Sequence, residues 1–209
     1  MNKYVTELIG TFFLVLTIGC TVLSRGTGIM PPLAIGSMLM VMIYAGGHIS
    51  GAHFNPAVTL AVVMRGKCPS KDMLPYILFQ LAGAALAAMV VRFLIPDAAA
   101  TPMTLDVGHA LLAEFLFTFA LAWVVLNVAT AKANSGNSFY GLAIGFTVLA
   151  GAFAVGPISG GAFNPAVALG AALMGLLDLA QIWIHVAGNF AGAAVAALAF
   201  KSLSTADAA

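Results

Sequence analysis

Two stretches deep in hydrophobic sequence place an asparagine directly before proline, alanine and valine: Gly51-Ala-His-Phe-Asn55-Pro56-Ala57-Val58 and Gly161-Ala-Phe-Asn164-Pro165-Ala166-Val167. Asparagine is a preferred helix N-cap, and proline suits the first helical turn, where its missing N–H is not needed. Each stretch therefore predicts a helix launched from a glycine-rich turn. Only about ten residues follow before Arg65-Gly66-Lys67 and before Gly175, so each helix covers roughly 15 Å of a hydrocarbon layer about 30 Å thick. Two such N-termini aimed at one point would concentrate about half an elementary charge each, which repels cations and protons. With its side-chain oxygen on its own helix end, each asparagine would keep its NH2 free, so Asn55 and Asn164 would offer two donors to a passing solute. Water held there must point its oxygen inward, which interrupts a proton wire. The rest of the lining is expected to be backbone carbonyls of Gly51, Ala52, His53 and Phe54, and of Gly160, Gly161, Ala162 and Phe163. Irregular backbone at membrane depth is tolerable only where it lines a cavity or is buried in protein. The chemistry on offer is selective passage.

The elements that must hold these turns are membrane spans. The chain has 209 residues, 62% hydrophobic and 7% charged, and its mean hydropathy is +1.05. A soluble domain carries about a quarter charged residues. The net charge of +1 provides no basic face for nucleic acid. Apolar segments run Tyr4–Leu23, Pro32–Gly47, Met73–Ile95, His109–Thr130, Ser138–Gly156 and Leu179–Phe200. They predict an all-α integral membrane protein with six transmembrane helices and two re-entrant half-helices. The connections are brief, so residues 1–209 read as one domain. The first segment, although it contains Thr17-Ile-Gly-Cys20 after an apolar run, is read as a span and not a cleaved leader, because Glu7 falls where a positive leader belongs. With six spans the termini share a side, and Lys3, Arg65, Lys67, Lys71, Lys132 and Lys201 lie there against Arg25 and Arg92 opposite. That bias places the termini in the cytoplasm. Cys20 and Cys68 then fall towards opposite faces, and no disulfide is expected.

The halves repeat. A shift of 109 residues lays Ile49–Ala61 on Ile158–Gly170 with nine identities in thirteen, and Gln80-Leu-Ala-Gly-Ala-Ala on Asn189-Phe-Ala-Gly-Ala-Ala. A shift of 107 sets Glu7 on Glu114. Each repeat (about 1–95 and 109–201) holds three spans, so the two lie inverted in the membrane. Inverted repeats with interrupted helices mark a site at the midplane. Gly83 with Ala87, Gly141 with Gly145 and Gly188 with Gly192 have the spacing that lets helix backbones approach closely.

On both Asn-Pro-Ala boxes, the Gly47-His-Ile-Ser-Gly51 approach and the paired glutamates, the sequence resembles the aquaporin or major intrinsic protein family over essentially its whole length. The resemblance implies a homotetramer with one pore per protomer, passing water and small uncharged solutes passively. It also gives Glu7 and Glu114 the role of accepting hydrogen bonds from the re-entrant loops, with His48 and His53 bracing them. No cofactor is implied. His109 and His185 have no second ligand nearby, and no metal site is expected.

One departure bears on selectivity. The family's second box continues with an arginine that walls the outer constriction; here that position is Val167. By the family's spacing the other walls are Ile35, Ala152 and Gly161, so no guanidinium, imidazole or large ring remains. Losing arginine removes donors that replace a solute's hydration, while Gly161 and Ala152 leave room for a partly hydrated solute. Width is expected to prevail, giving a permissive pore for glycerol, urea or undissociated metalloid acids as well as water. A weakly selective ion channel and a coupled secondary transporter are the rivals. The sequence shows no acidic ring to favour cations and, beyond the two glutamates, no ionisable group near the midplane. Nothing supports an enzyme: no nucleophile–base pair or metal cluster stands out. Short termini and loops suggest a prokaryotic inner membrane.

Overall fold

The structure is a computed structural model that describes residues 1–24, 28–98 and 100–204. Eight α-helices follow in order: α1 (Asn2–Leu23), α2 (Pro31–Ser50), α3 (Pro56–Met64), α4 (Ser70–Leu94), α5 (Val107–Val125), α6 (Tyr140–Ser159), α7 (Pro165–Met174) and α8 (Ile182–Leu203). Among the described residues six helical segments are long and apolar enough to cross a membrane, while α3 and α7 have nine and ten residues. Large apolar side chains point outward from the long helices, including Phe93 (83% exposed) and Met89 (68%). In water such a surface would be unfavourable; against lipid it is the required one. Arg25, assigned above to the outer side, lies outside the described residues.

The helices differ from their sequence-based limits by a few residues at either end. The segment expected to stop near Gly47 continues to Ser50, because the turn that ends it needs a left-handed residue and Gly51 (φ +87°) supplies one, its N–H closing on Gly47 O at 3.0 Å. α6 ends the same way at Gly160, also at φ +87°. The start of α5 is capped by Asp106, which accepts from His109 N at 2.9 Å, and that bond holds its carboxyl below the usual carboxylate range. Its far end was not foreseen: Leu126–Thr130 widens into a π-helical turn. Asparagine amides take up the carbonyls there, Asn134 Nδ2 reaching Asn127 O at 3.0 Å and Asn137 Nδ2 reaching Val128 O at 2.7 Å. They pin the connection between the repeats.

Packing repeats with the sequence. α1 lies against α2 and α4, and α5 lies correspondingly against α6 and α8; α2 meets α6 across the middle, and each half-helix packs on the last span of the other repeat. The small residues sit where backbones nearly touch. A Cβ at Gly83 would stand 2.4 Å from Leu8 O, one at Gly192 2.3 Å from Phe115 O, and Gly36 and Gly145 press on each other's carbonyls. A side chain at Gly192 must therefore push α5 and α8 apart. Gly192→Val should lower stability by about 1–3 kcal/mol, read as an earlier loss of monodisperse protein in detergent on heating; unchanged thermal stability would contradict the close approach.

Candidate functional site

Both Asn-Pro turns start their helices as the residue types require. Asn55 Oδ1 accepts from Ala57 N at 2.8 Å and Val58 N at 3.3 Å, and Asn164 Oδ1 accepts from Ala166 N at 2.9 Å and Val167 N at 3.4 Å. Pro56 and Pro165 open the two helices. The amide nitrogens were expected to stay free, and here the structure differs. Asn55 Nδ2 donates to Phe163 O at 2.9 Å, and Asn164 Nδ2 donates to Phe54 O at 2.8 Å. Each asparagine thus caps its own helix and ties down the opposite loop. One of its two N–H groups remains for a solute. The carbonyls of Phe54 and Phe163, expected to line the passage, are engaged by these bonds, and both rings are buried.

The loops leading to the boxes take backbone conformations that side chains resist. Phe54 (φ +49°), Phe163 (φ +48°) and Ala52 (φ +53°) are left-handed, as is Gly161 (φ +63°), which matches Ala52 under the shift. Each non-glycine residue there costs about 1–3 kcal/mol and persists only if its surroundings dictate it. A buried carboxylate does so in each repeat. Glu7 accepts from Ser50 Oγ (2.7 Å) and His53 N (2.9 Å) on one oxygen, and from Phe54 N (2.6 Å) and Gln80 Nε2 (2.7 Å) on the other. Glu114 accepts from Ser159 Oγ (2.7 Å) and Ala162 N (3.0 Å), then from Phe163 N (2.7 Å) and Asn189 Nδ2 (2.7 Å). Neither carboxylate is exposed at all, so four donors stand in for its hydration. Space for the loops comes from glycine: a Cβ at Gly10 would sit 2.1 Å from the Phe54 ring, and one at Gly151 2.7 Å from that of Phe163.

His48 does not brace a loop. It is exposed on the last turn of α2, beside a vestibule on the side of the chain termini, and no described residue bonds to its ring. The bracing comes from residues with no assigned role in the sequence reading. Tyr76 Oη donates to Ser50 O at 2.7 Å, and His185 Nε2 stands 2.8 Å from Ser159 O. Tyr76 and His185 are 109 positions apart, as are Gln80 and Asn189, so the repeat register held the signal. His53 does touch the loop network, its Nδ1 lying 3.2 Å from Thr59 Oγ1.

Between the half-helices runs a cavity of about 440 Å³. Asn55 and Asn164 line it, with Gly51, Ala52, His53, Gly160, Gly161 and Ala162. Among the described residues the carbonyls of those six have no protein donor. Ile35, Ala152, Gly161 and Val167 line the same cavity towards the ends of α1 and α7, where Met103 and Leu177 join them. At the opposite end, on the side of the chain termini, Gly51, Ala129 and Tyr140 line both this cavity and a neighbouring vestibule. The cavity lining is mainly apolar, with its polar groups concentrated at the two asparagines and the loops beside them.

The family model for the major intrinsic proteins matches residues 1–200. The chain belongs to the major intrinsic protein family. Aquaporin NIP1-1 of rice is 39% identical over 212 residues, covering 96% of this chain and 74% of the relative. The probable aquaporin NIP4-2 of Arabidopsis thaliana is 39% identical over 202 residues, covering 91% of this chain and 70% of the relative. Among solved structures, the aquaglyceroporin from Plasmodium falciparum shares the fold with a TM-score of 0.84 over 97% of this chain and 96% of its own, at 21% identity. This major intrinsic protein is therefore an integral membrane channel for water or small solutes and not an enzyme. The plant relatives do not fit the prokaryotic inner membrane expected from its short loops.

In this major intrinsic protein the carboxylate of Glu114 holds the second re-entrant loop. Glu114→Ala leaves the Ala162 and Phe163 N–H groups buried without acceptors beside a strained backbone. Stability should fall by about 3 kcal/mol or more, and solute flux should fall with it. A Glu114→Ala protein that melts and conducts like the wild type would refute this role for the carboxylate.

Proposed function

We propose that the protein is a passive channel for water and small uncharged solutes, glycerol, urea and undissociated metalloid acids among them, with a wide, apolar outer constriction. The observation that carries this reading is Val167. It lines the cavity with Ile35, Ala152 and Gly161, and the lining residues there bring no charged group. The relatives named as aquaporins and the fold neighbour titled an aquaglyceroporin agree with the class of solute.

The balance of forces follows from the lining. A solute crossing a narrow ring must exchange its hydration for protein groups, and a valine isopropyl offers none. A wider ring lets part of the hydration shell travel along. Gly161 brings no side chain to the ring and Ala152 only a methyl group, so neither fills it. Deeper in, a solute meets one N–H from each asparagine and then the carbonyls of the loops. Cations are opposed by the paired helix N-termini.

Within this proposal the termini lie in the cytoplasm, following the excess of lysine and arginine on that side. Four protomers assemble, each with its own pore, as the family resemblance implies. In proteoliposomes followed by stopped-flow light scattering, glycerol and urea should pass as well as water. Val167→Arg should lower glycerol and urea flux about tenfold, a change of about 1.4 kcal/mol in barrier, and water flux less. An unchanged solute profile in Val167→Arg would show that this ring is not the filter.

A further inference from the structure

The chain has four tyrosines, and the hydroxyls of three are bonded within the protein. Tyr4 Oη donates to Asp72 Oδ1 at 2.7 Å, Tyr76 Oη to Ser50 O at 2.7 Å, and Tyr44 Oη to Ser138 O at 3.1 Å. Tyr140 is the exception. Its side chain is half-buried, and no described residue bonds to its hydroxyl. A tyrosine hydroxyl drawn away from bulk solvent ordinarily finds a partner. What this one can serve depends on where it stands.

Tyr140 opens α6 and lines both the pore cavity and the vestibule on the side of the chain termini. Gly51 and Ala129 are the other two residues common to both spaces. Gly51 has no side chain and Ala129 only a methyl group, so the phenol is the one large side chain shared by the two. A Cβ on Gly47 would lie 3.6 Å from Tyr140 Cε2 and 3.7 Å from its Oη, which sets the hydroxyl beside the last turn of α2. The ring is held from behind. Tyr44 meets it edge-on, with centroids 5.2 Å apart and planes at 72°. Tyr44 Oη also accepts from Leu142 N at 3.1 Å, so its two bonds reach residues on either side of Tyr140. Gly141 makes room for this, since a Cβ there would stand 2.9 Å from the Tyr44 ring. Under the 109-position shift Tyr140 falls on Pro31, which lines the other end of the cavity without a side-chain hydrogen-bonding group.

We infer that Tyr140 is a specificity-determining residue at the end of the pore away from Val167, its hydroxyl bonding neutral solutes and its ring limiting their size. This rests on the channel reading above. The ring around Val167 brings no side-chain donor or acceptor, so a polyol or urea crossing there keeps water with it. At Tyr140 the solute meets a group that both donates and accepts. Hydration carried through the wide ring is exchanged there for a bond to the protein, and a solute too broad to pass the phenol stops. Tyr44 is the positioning residue: it touches no solute and fixes the ring of Tyr140.

Three measurements test this on the full chain. Tyr140→Phe keeps the ring on Tyr44 and removes a hydroxyl that no described residue bonds, so it should fold as the wild type does. In proteoliposomes its glycerol flux relative to water should fall about fivefold, the loss of one neutral hydrogen bond. Tyr140→Ala removes the ring as well, and the flux of the longer polyol xylitol relative to glycerol should rise about tenfold. In lipid nanodiscs with tyrosine 13C-labelled at Cζ, the signal absent from Tyr140→Phe should shift on titration with glycerol. The signals of Tyr4, Tyr44 and Tyr76, bonded within the protein, should stay in place. An unchanged glycerol-to-water ratio in Tyr140→Phe, or a Tyr140 signal indifferent to glycerol, overturns the solute contact. An unchanged xylitol-to-glycerol ratio in conducting Tyr140→Ala vesicles overturns the size limit. Wild-type vesicles that exclude glycerol overturn the channel reading itself, while the tyrosine signal still reports whether glycerol reaches the hydroxyl.

Discussion

A backbone that leaves regular helix inside a membrane must find a partner for every polar group, and this constraint shapes the centre of the molecule. The two re-entrant loops meet it asymmetrically. Their N–H groups are taken up inside the protein, by Glu7 and Ser50 in one repeat and by Glu114 and Ser159 in the other. Among the described residues their carbonyls are not, apart from those of Phe54 and Phe163. The choice of glutamate explains the difference. An ionised carboxylate only accepts, so it collects donors and leaves acceptors over. What remains along Gly51–His53 and Gly160–Ala162, residues that line the cavity, is a run of carbonyl oxygens without a protein donor among the described residues. A buried lysine in place of each glutamate would have left N–H groups there and a lining of opposite polarity.

The asparagines close the arrangement across the repeats. Had each bonded only its own helix, the half-helices could slide independently. Because Asn55 holds Phe163 O and Asn164 holds Phe54 O, displacing either loop disturbs both. The strained residues are those next to these bonds. Phe54 and Phe163 are left-handed, donate to a glutamate and accept from an asparagine, while their rings fill the gaps beside Gly10 and Gly151. Strain, buried carboxylate and close packing are thus one construction, repeated with inverted orientation.

Much of this was legible in the sequence because it depends on residue types with few substitutes. Asn-Pro at a short helix start, a glutamate inside an apolar span and a repeat of the whole stretch each point to one physical solution. The bracing was harder to read, because a hydrogen-bond role can be kept while the residue changes. Tyr76 and His185 reach corresponding serine carbonyls, Ser50 O and Ser159 O, from matching positions, yet one is a phenol and the other an imidazole. His48 misled for the opposite reason: its place in the motif suggests a brace, but the helix runs on to Ser50 and turns it outward. The π-helical turn at Leu126–Thr130 follows from long-range asparagine bonds that no local pattern announces. The engagement of one asparagine N–H likewise requires knowing that the two loops touch.

On the proposed reading of the ring around Val167, a charge can be absent there without losing the pore. An arginine at the position of Val167 would act on solutes at the mouth, and it would hold no part of the loop: the turn is fixed by Glu114, Ser159 and Asn164, and Val167 contributes only its N–H to the asparagine cap. Any side chain compatible with the third residue of a helix can therefore stand there. The midplane is different. Its positive potential comes from helix ends, and these cannot be removed by changing one side chain. Discrimination by size and hydration at the mouth is consequently free to vary, while discrimination against charge at the centre is tied to the fold.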